Sequence, residues 1–168
     1  MKKYLSFAVI LIPFLCSCNQ NNFASKESII DSQNESIEPT TLEVIEMKIN
    51  ILINGTNFIA TLEDTETGKA FYEMIGNELV LNLEEYGGFE KVGSLGKSLP
   101  RNDVRITTKP GDLILYNGSE FSLMYGSNTW SYTKIGKIDN TNSLIEKVGS
   151  GDIKIKITKN EENVWRKF

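Results

Sequence analysis

The chain contains no histidine. Imidazole changes charge near neutral pH, activates serine and cysteine nucleophiles and ligates transition metals. Its absence excludes Ser-His-Asp and Cys-His catalysis and imidazole-held metals. Cysteine is scarce: only Cys16 and Cys18, both close to the amino terminus, so no disulfide can staple the rest. A basic excess is missing too. Eighteen Lys and Arg stand against 22 Asp and Glu, a net charge of −4, and the basic residues are scattered singly. Without a basic stripe to displace phosphate counterions, nucleic acid is not expected as a partner. No glycine spacing matches a P-loop or a dinucleotide fingerprint, and Asp139-Asn140-Thr141-Asn142 lacks the glycine and terminal glutamate of a calcium loop. These four residues are better read as the cap of a short helix. No cofactor is implied.

What is present begins with a leader. Met1-Lys2-Lys3 is a short positive start, and the apolar run Leu5 to Leu15 is of signal-peptide length, too short to span a bilayer comfortably. It ends in Leu15-Cys16-Ser17-Cys18, which resembles the bacterial lipobox. Leu15 stands three places before Cys18 and the small Ser17 directly before it, so cleavage after residue 17 and lipidation of Cys18 are expected. Cys16 fits worse, with Leu15 before it and Pro13 in the leading place. More than one acyl chain on a cysteine anchors stably, at about 0.8 kcal/mol per buried methylene. The expected partner is therefore a membrane, and the location an extracytoplasmic one. Residues 18–43, rich in Asn, Gln, Ser, Glu and Thr, can bury little and read as a flexible tether.

Residues 44–158 read as one domain, expected to be monomeric, with 159–168 as a tail. Met47, Ile49, Ile51 and Ile53 alternate with polar or solvent-side residues, and Asn54-Gly55 turns the chain into Phe58, Ala60 and Leu62. Asp64 or Thr65 can cap a helix over 66–75, closed by Gly76. Leu79, Leu81 and Leu83 make a third strand. A polar, glycine-punctuated stretch runs over 84–97, and a surface loop is expected over 101–110. Three strands follow over 111–138, with Asn117-Gly118 and Gly126-Ser127-Asn128 as turns; Phe121, Leu123 and Tyr125 give the second an apolar face, and the third pauses at Gly136. One or two helical turns over 142–147 precede a last strand carrying Ile153, Ile155 and Ile157. Hairpins this close together predict a mainly β fold, a closed antiparallel barrel or a sandwich.

A long run of these residues resembles the cyclophilin-like domain found in many bacterial proteins. It is carried by Glu85-Tyr86-Gly87-Gly88-Phe89-Glu90-Lys91-Val92-Gly93-Ser94-Leu95-Gly96-Lys97-Ser98-Leu99-Pro100, by Pro110-Gly111-Asp112-Leu113-Ile114-Leu115-Tyr116, by the stretch Tyr125 to Ile138 and by Gly149-Ser150-Gly151-Asp152. The resemblance implies a closed antiparallel cyclophilin-like β-barrel with two short helices. In the prolyl isomerases of that name, a strand Phe-His-Arg-Val supplies an arginine to the proline amide. The similar run here, Phe89-Glu90-Lys91-Val92, puts Lys91 there, and an ammonium lacks the planar fork. Ser122 stands where their second pocket phenylalanine would, and the wall histidine has no counterpart. Little or no isomerase activity is implied, with Lys91 as electrophile, and proline held near Tyr125 and Trp130, if any remains.

Phe89, Tyr116, Tyr125, Trp130 and Tyr132, with Lys91, Ser122 and Asn128, are the candidate contacts for a peptide or small-molecule ligand, since rings give contact area at low entropic cost. The simpler reading packs most of these rings inside the barrel, leaves Trp130 exposed beside a turn, and makes Lys91 a solvated strand residue. An enzyme working with Asp, Glu, Lys and Tyr alone would need a carboxylate at the floor of a pocket. Glu84-Glu85 and Glu90 invite a paired-carboxylate reading, but their strand spacing speaks against it, since neighbours such as Glu84 and Glu85 point to opposite faces.

Overall fold

The computed structural model describes residues 46–161. The leader 1–17, Cys18, the tether 18–43 and residues 162–168 of the tail lie outside the described residues. Among the described residues, no helix is long and apolar enough to cross a membrane.

Nine strands and two helices make up the described residues: β1 Lys48–Ile53, β2 Thr56–Leu62, α1 Glu66–Ile75, β3 Leu79–Tyr86, β4 Glu90–Ser94, β5 Val104–Thr107, β6 Asp112–Tyr116, β7 Glu120–Met124, β8 Thr129–Ile138, α2 Leu144–Val148 and β9 Ile153–Lys159. All the strand pairings are antiparallel. The strands run β2-β1-β9-β3-β4-β7-β6-β8, and β2 pairs back onto β8, which closes an eight-stranded barrel with β5 attached beside β8. The expected closed antiparallel barrel with two short helices is thus the fold.

Local chemistry explains the hairpins. Asn54 and Gly55 have φ of 44° and 80°, and Asn117 and Gly118 have 50° and 79°, the paired positive values of a type I′ turn. Thr65 caps α1, its hydroxyl accepting from Gly68 N at 3.1 Å, and Gly76 ends the helix with φ 59°. Phe71 and Ile75 turn from α1 into the barrel, where Phe71 stacks on Phe121 with centroids 5.6 Å apart. Ile49, Ile51, Ile53, Leu113, Leu115, Leu123, Ile153, Ile155 and Ile157 complete the interior.

Four expectations need correction. The surface loop 101–110 contains β5, whose Val104 to Thr107 pair with Tyr132 to Thr129. The polar stretch 84–97 contains β4. The last of the three central strands does not pause at Gly136 but runs to Ile138. There β2 passes so close that a Cβ on Gly136 would lie 2.5 Å from Thr61 O, so glycine is what lets the barrel close. Finally, the cap of α2 is Ser143, in a left-handed conformation and without a side-chain cap bond; Asn140 instead accepts from Asn142 N. β9 extends to Lys159, and Asn160 N donates to Lys48 O, so the first residues of the tail are tied down.

Candidate functional site

The two faces of β4, β7 and β6 divide by parity. Lys91, Leu123 and Leu113 lie in register, as do Gly93, Phe121 and Leu115, and this set faces the interior. Val92, Ser122 and Ile114 form the alternate row, flanked by Glu90 opposite Met124 and Tyr116 opposite Glu120. An outward face would ordinarily be polar. Here all of Phe121 to Met124 are buried, because Ile114, Met124 and Tyr132 form a second apolar cluster on the outside, covered by Phe89, Ile106 and Tyr116. The expected apolar face of β7, with Phe121 and Leu123, is thus joined by a second buried face.

A groove of about 740 Å³ opens over this second cluster, lined by Tyr86, Gly87, Phe89, Glu90, Val92, Tyr116, Glu120, Asn128, Trp130 and Tyr132. That volume suits a small ligand or a few residues of peptide. Tyr86 meets Phe89 edge to face at 6.3 Å, and Tyr116 meets Tyr132 in the same manner at 6.1 Å. Both arrangements place one ring's positive edge on another's negative face. The turn from β3 to β4 uses Gly87 and Gly88, both at positive φ, and the Phe89 carbonyl accepts from Tyr125 N and Gly126 N. Phe89 is thereby held in place. Tyr132 is buried, and Asn128 Nδ2 donates to its hydroxyl at 2.7 Å; burial above all pushes this phenol upward, with Glu90 adding to it. Trp130 is 53% exposed.

Glu90 is the unusual member. It is 7% exposed, and desolvation raises its carboxyl above the ordinary value, the Glu120 charge adding to the effect. The Ser122 hydroxyl lies close enough to ease that carboxyl somewhat but not in the geometry of a formed hydrogen bond, and Ser122 Oγ has no hydrogen-bond partner among the described residues.

The expected contacts therefore separate. Phe89, Tyr116, Asn128, Trp130 and Tyr132 line the groove, Trp130 from the start of β8 beside the turn at Asn128. Phe89, Tyr116 and Tyr132 pack outside the barrel and not in its interior. Ser122 lies on the same face but is fully buried beneath the groove. Lys91 and Tyr125 do not line it. Lys91 is neither a solvated strand residue nor a groove electrophile: its Nζ is fully buried, donates to Glu85 Oε2 and to Gly151 O at 2.7 Å, and sits 5.2 Å from the centroid of the Tyr125 ring. Tyr125 donates to Glu85 Oε1, and burial first, then that bond, push its phenol up to about 12. The bonds from Lys91 and Tyr125 hold the Glu85 carboxyl below its ordinary value.

Tyr86, Gly87, Val92 and Glu120 are not among the contacts expected from the sequence, and Glu90 figures there only in the carboxylate pairing that strand spacing speaks against. The signal for Glu90 and Val92 was parity: once Lys91 is paired with Leu123, both must face the other way. A wider depression of about 900 Å³, lined by Asn50, Asn57, Asn77 and Lys159 among others, has no aromatic ring in its wall. Among the described residues, no cluster of acidic or sulfur side chains is arranged to hold a metal ion.

A family model described as the cyclophilin-like family matches residues 51–158. Among solved structures, the chain is similar to a hypothetical protein from Archaeoglobus fulgidus determined in solution, at 15% identity and a TM-score of 0.48, over 69% of this chain and 96% of that one. A comparison with curated proteins gives no match.

Proposed function

The chain belongs to the cyclophilin-like family, and from that we propose that its barrel is a binding module which takes a peptide or small-molecule guest in the aromatic groove without transforming it. The observation that carries this reading is the convergence of Phe89, Tyr116, Trp130 and Tyr132 on one solvent-open groove. Its rings are pre-set by edge-to-face packing and by the pinned Phe89 backbone. Rigid rings lose little entropy on contact, so they favour binding. The prolyl-isomerase alternative lacks an electrophile, since the ammonium that would polarise a carbonyl is enclosed on the opposite face of β4.

Soaking crystals of the domain in a mixture of short peptides is expected to give density between Trp130 and Phe89, and Trp130→Ala to weaken capture by about tenfold, in the range for an aromatic anchor. Density only against Glu85 and Lys91, or unchanged capture by Trp130→Ala, would overturn the reading. In a protease-coupled prolyl isomerisation assay, the wild-type domain is expected to leave the uncatalysed rate unchanged.

The same proposal places the module outside the cytoplasm, hung from a membrane by acyl chains on Cys18. The support is the run Leu15-Cys16-Ser17-Cys18 behind a short apolar leader. Cys18→Ala is expected to abolish incorporation of labelled palmitate and to move the protein out of the membrane fraction. Equal labelling of both forms would contradict the assignment.

A further inference from the structure

We propose that the guest of this groove is an organic cation, an ammonium or guanidinium group on a small body, with Glu90 as its counter-charge and the surrounding rings as its walls. This deepens the reading above and depends on the groove being the binding site.

The groove carries two carboxylates, Glu90 and Glu120, and no basic residue in its wall. Glu90 is more than nine-tenths buried and has no ion-pair partner among the described residues. Burying a carboxylate unpaired is costly, and a neutral or anionic guest would leave that cost in place or raise it. A cation would relieve it. Two neighbouring positive charges are committed elsewhere: Lys91, next in sequence, points inward to Glu85, and Lys134 is 3.0 Å from Asp112. Arg105 lies in backbone register with Ser131, which the strand alternation puts on the side opposite Trp130.

The rings act in the same direction. Tyr86, Phe89, Tyr116, Trp130 and Tyr132 line the groove, and the negative quadrupole of an aromatic face attracts a cation seated on it, more so when desolvated. Rings and carboxylate together form the chemistry of an ammonium cage. The desolvated carboxyl of Glu90 and its repulsion from Glu120 agree with a site completed by a positive charge from outside.

The test titrates the full chain, nitrogen-labelled, with choline, with its neutral carbon analogue bearing tert-butyl in place of trimethylammonium, and with N-acetyl-lysine methylamide. Choline is expected to shift the amide signals of Gly87 and Glu90 and the indole N–H of Trp130, while the neutral analogue leaves them in place. Glu90→Gln keeps the side chain's shape and removes its unpaired charge, so the fold should hold. It is expected to weaken choline about tenfold, the size of one charge-assisted contact, and Glu120→Gln less. A stronger response to the lysine amide than to choline would identify the source as a basic peptide, and the reverse a free cation; either supports the proposal. Equal shifts from choline and the neutral analogue, or no effect of Glu90→Gln, would overturn the cationic guest while leaving the groove as a binding site. Absence of shifts from both cations would overturn it too, and peptide capture by wild type against Trp130→Ala then decides separately whether the groove binds anything.

Discussion

Glu85→Ala is expected to lower the unfolding free energy by about 3 kcal/mol, because it leaves the ammonium of Lys91 enclosed with no counter-charge, only the Gly151 carbonyl and the Tyr125 ring beside it. Lys91 is fully buried, and its charge is balanced by Glu85, whose side chain keeps 27% of its exposure. Lys91→Met should cost far less, within about 1 kcal/mol. The thioether fills the same space, and Glu85 still accepts from Tyr125 and from Gly88 N. The asymmetry distinguishes a structural lock from a working electrophile. Urea denaturation of both variants at neutral pH measures it, and equal losses would contradict the buried-pair assignment.

The same residues set the pH dependence, and the two carboxylates act with opposite sign. The Glu85 carboxyl is lowered from 4.5, chiefly by the bond from Lys91, so its contribution is fully present above 4.5 and is lost as pH falls through the lower folded value. The Glu90 carboxyl is raised from 4.5 by desolvation. The folded state then holds the proton more tightly, and stability increases as pH falls toward 4.5 through the raised value. Glu90→Gln should flatten the limb above 4.5, and Glu85→Gln the limb below it.

Phe71→Ala is expected to cost about 4 kcal/mol, in the range for deleting a fully buried phenylalanine and leaving its cavity. Phe71 is the wedge by which α1 enters the barrel, lying nearly parallel to Phe121 with an interplanar angle of 10°. Phe121→Ala should cost a similar amount. The double variant should lose less than the sum, since the two rings are one another's partners. Trp130→Ala, by contrast, removes a ring that is 53% exposed and should change stability by less than about 1 kcal/mol. A loss below about 1.5 kcal/mol for Phe71→Ala would mean that α1 is not integral to the core.

Much of this fold was legible in the chain because each local device has one physical solution. Asn54-Gly55 and Asn117-Gly118 accept positive φ at both positions and so fix two hairpins. Thr65 and Gly76 bound α1 at the expected residues, and the alternation of Ile49, Ile51 and Ile53 gives the inward face of β1. β5 was not legible: its four residues are exposed or half-buried, and its strand character comes from pairing with β8, which no local pattern announces. The groove was half legible for a related reason. Aromatic residues in turn-linked strands drew attention to Phe89, Tyr116 and Trp130, yet which face each occupies depends on register between strands distant in sequence. Lys91 is the clearest case. Read alone, a lysine beside a glutamate in a strand belongs in water. Paired with Leu123 it must point into the barrel, and the Glu90 beside it must point out into the groove.

The division of labour between those two faces is tested most directly by mapping amide chemical-shift changes in the full chain as a mixture of short basic peptides is added. Changes confined to Tyr86, Phe89, Glu90, Tyr116 and Trp130, with Glu85, Lys91 and Tyr125 unmoved, are the predicted result. Changes centred on Lys91 and Tyr125, with the groove silent, would contradict it.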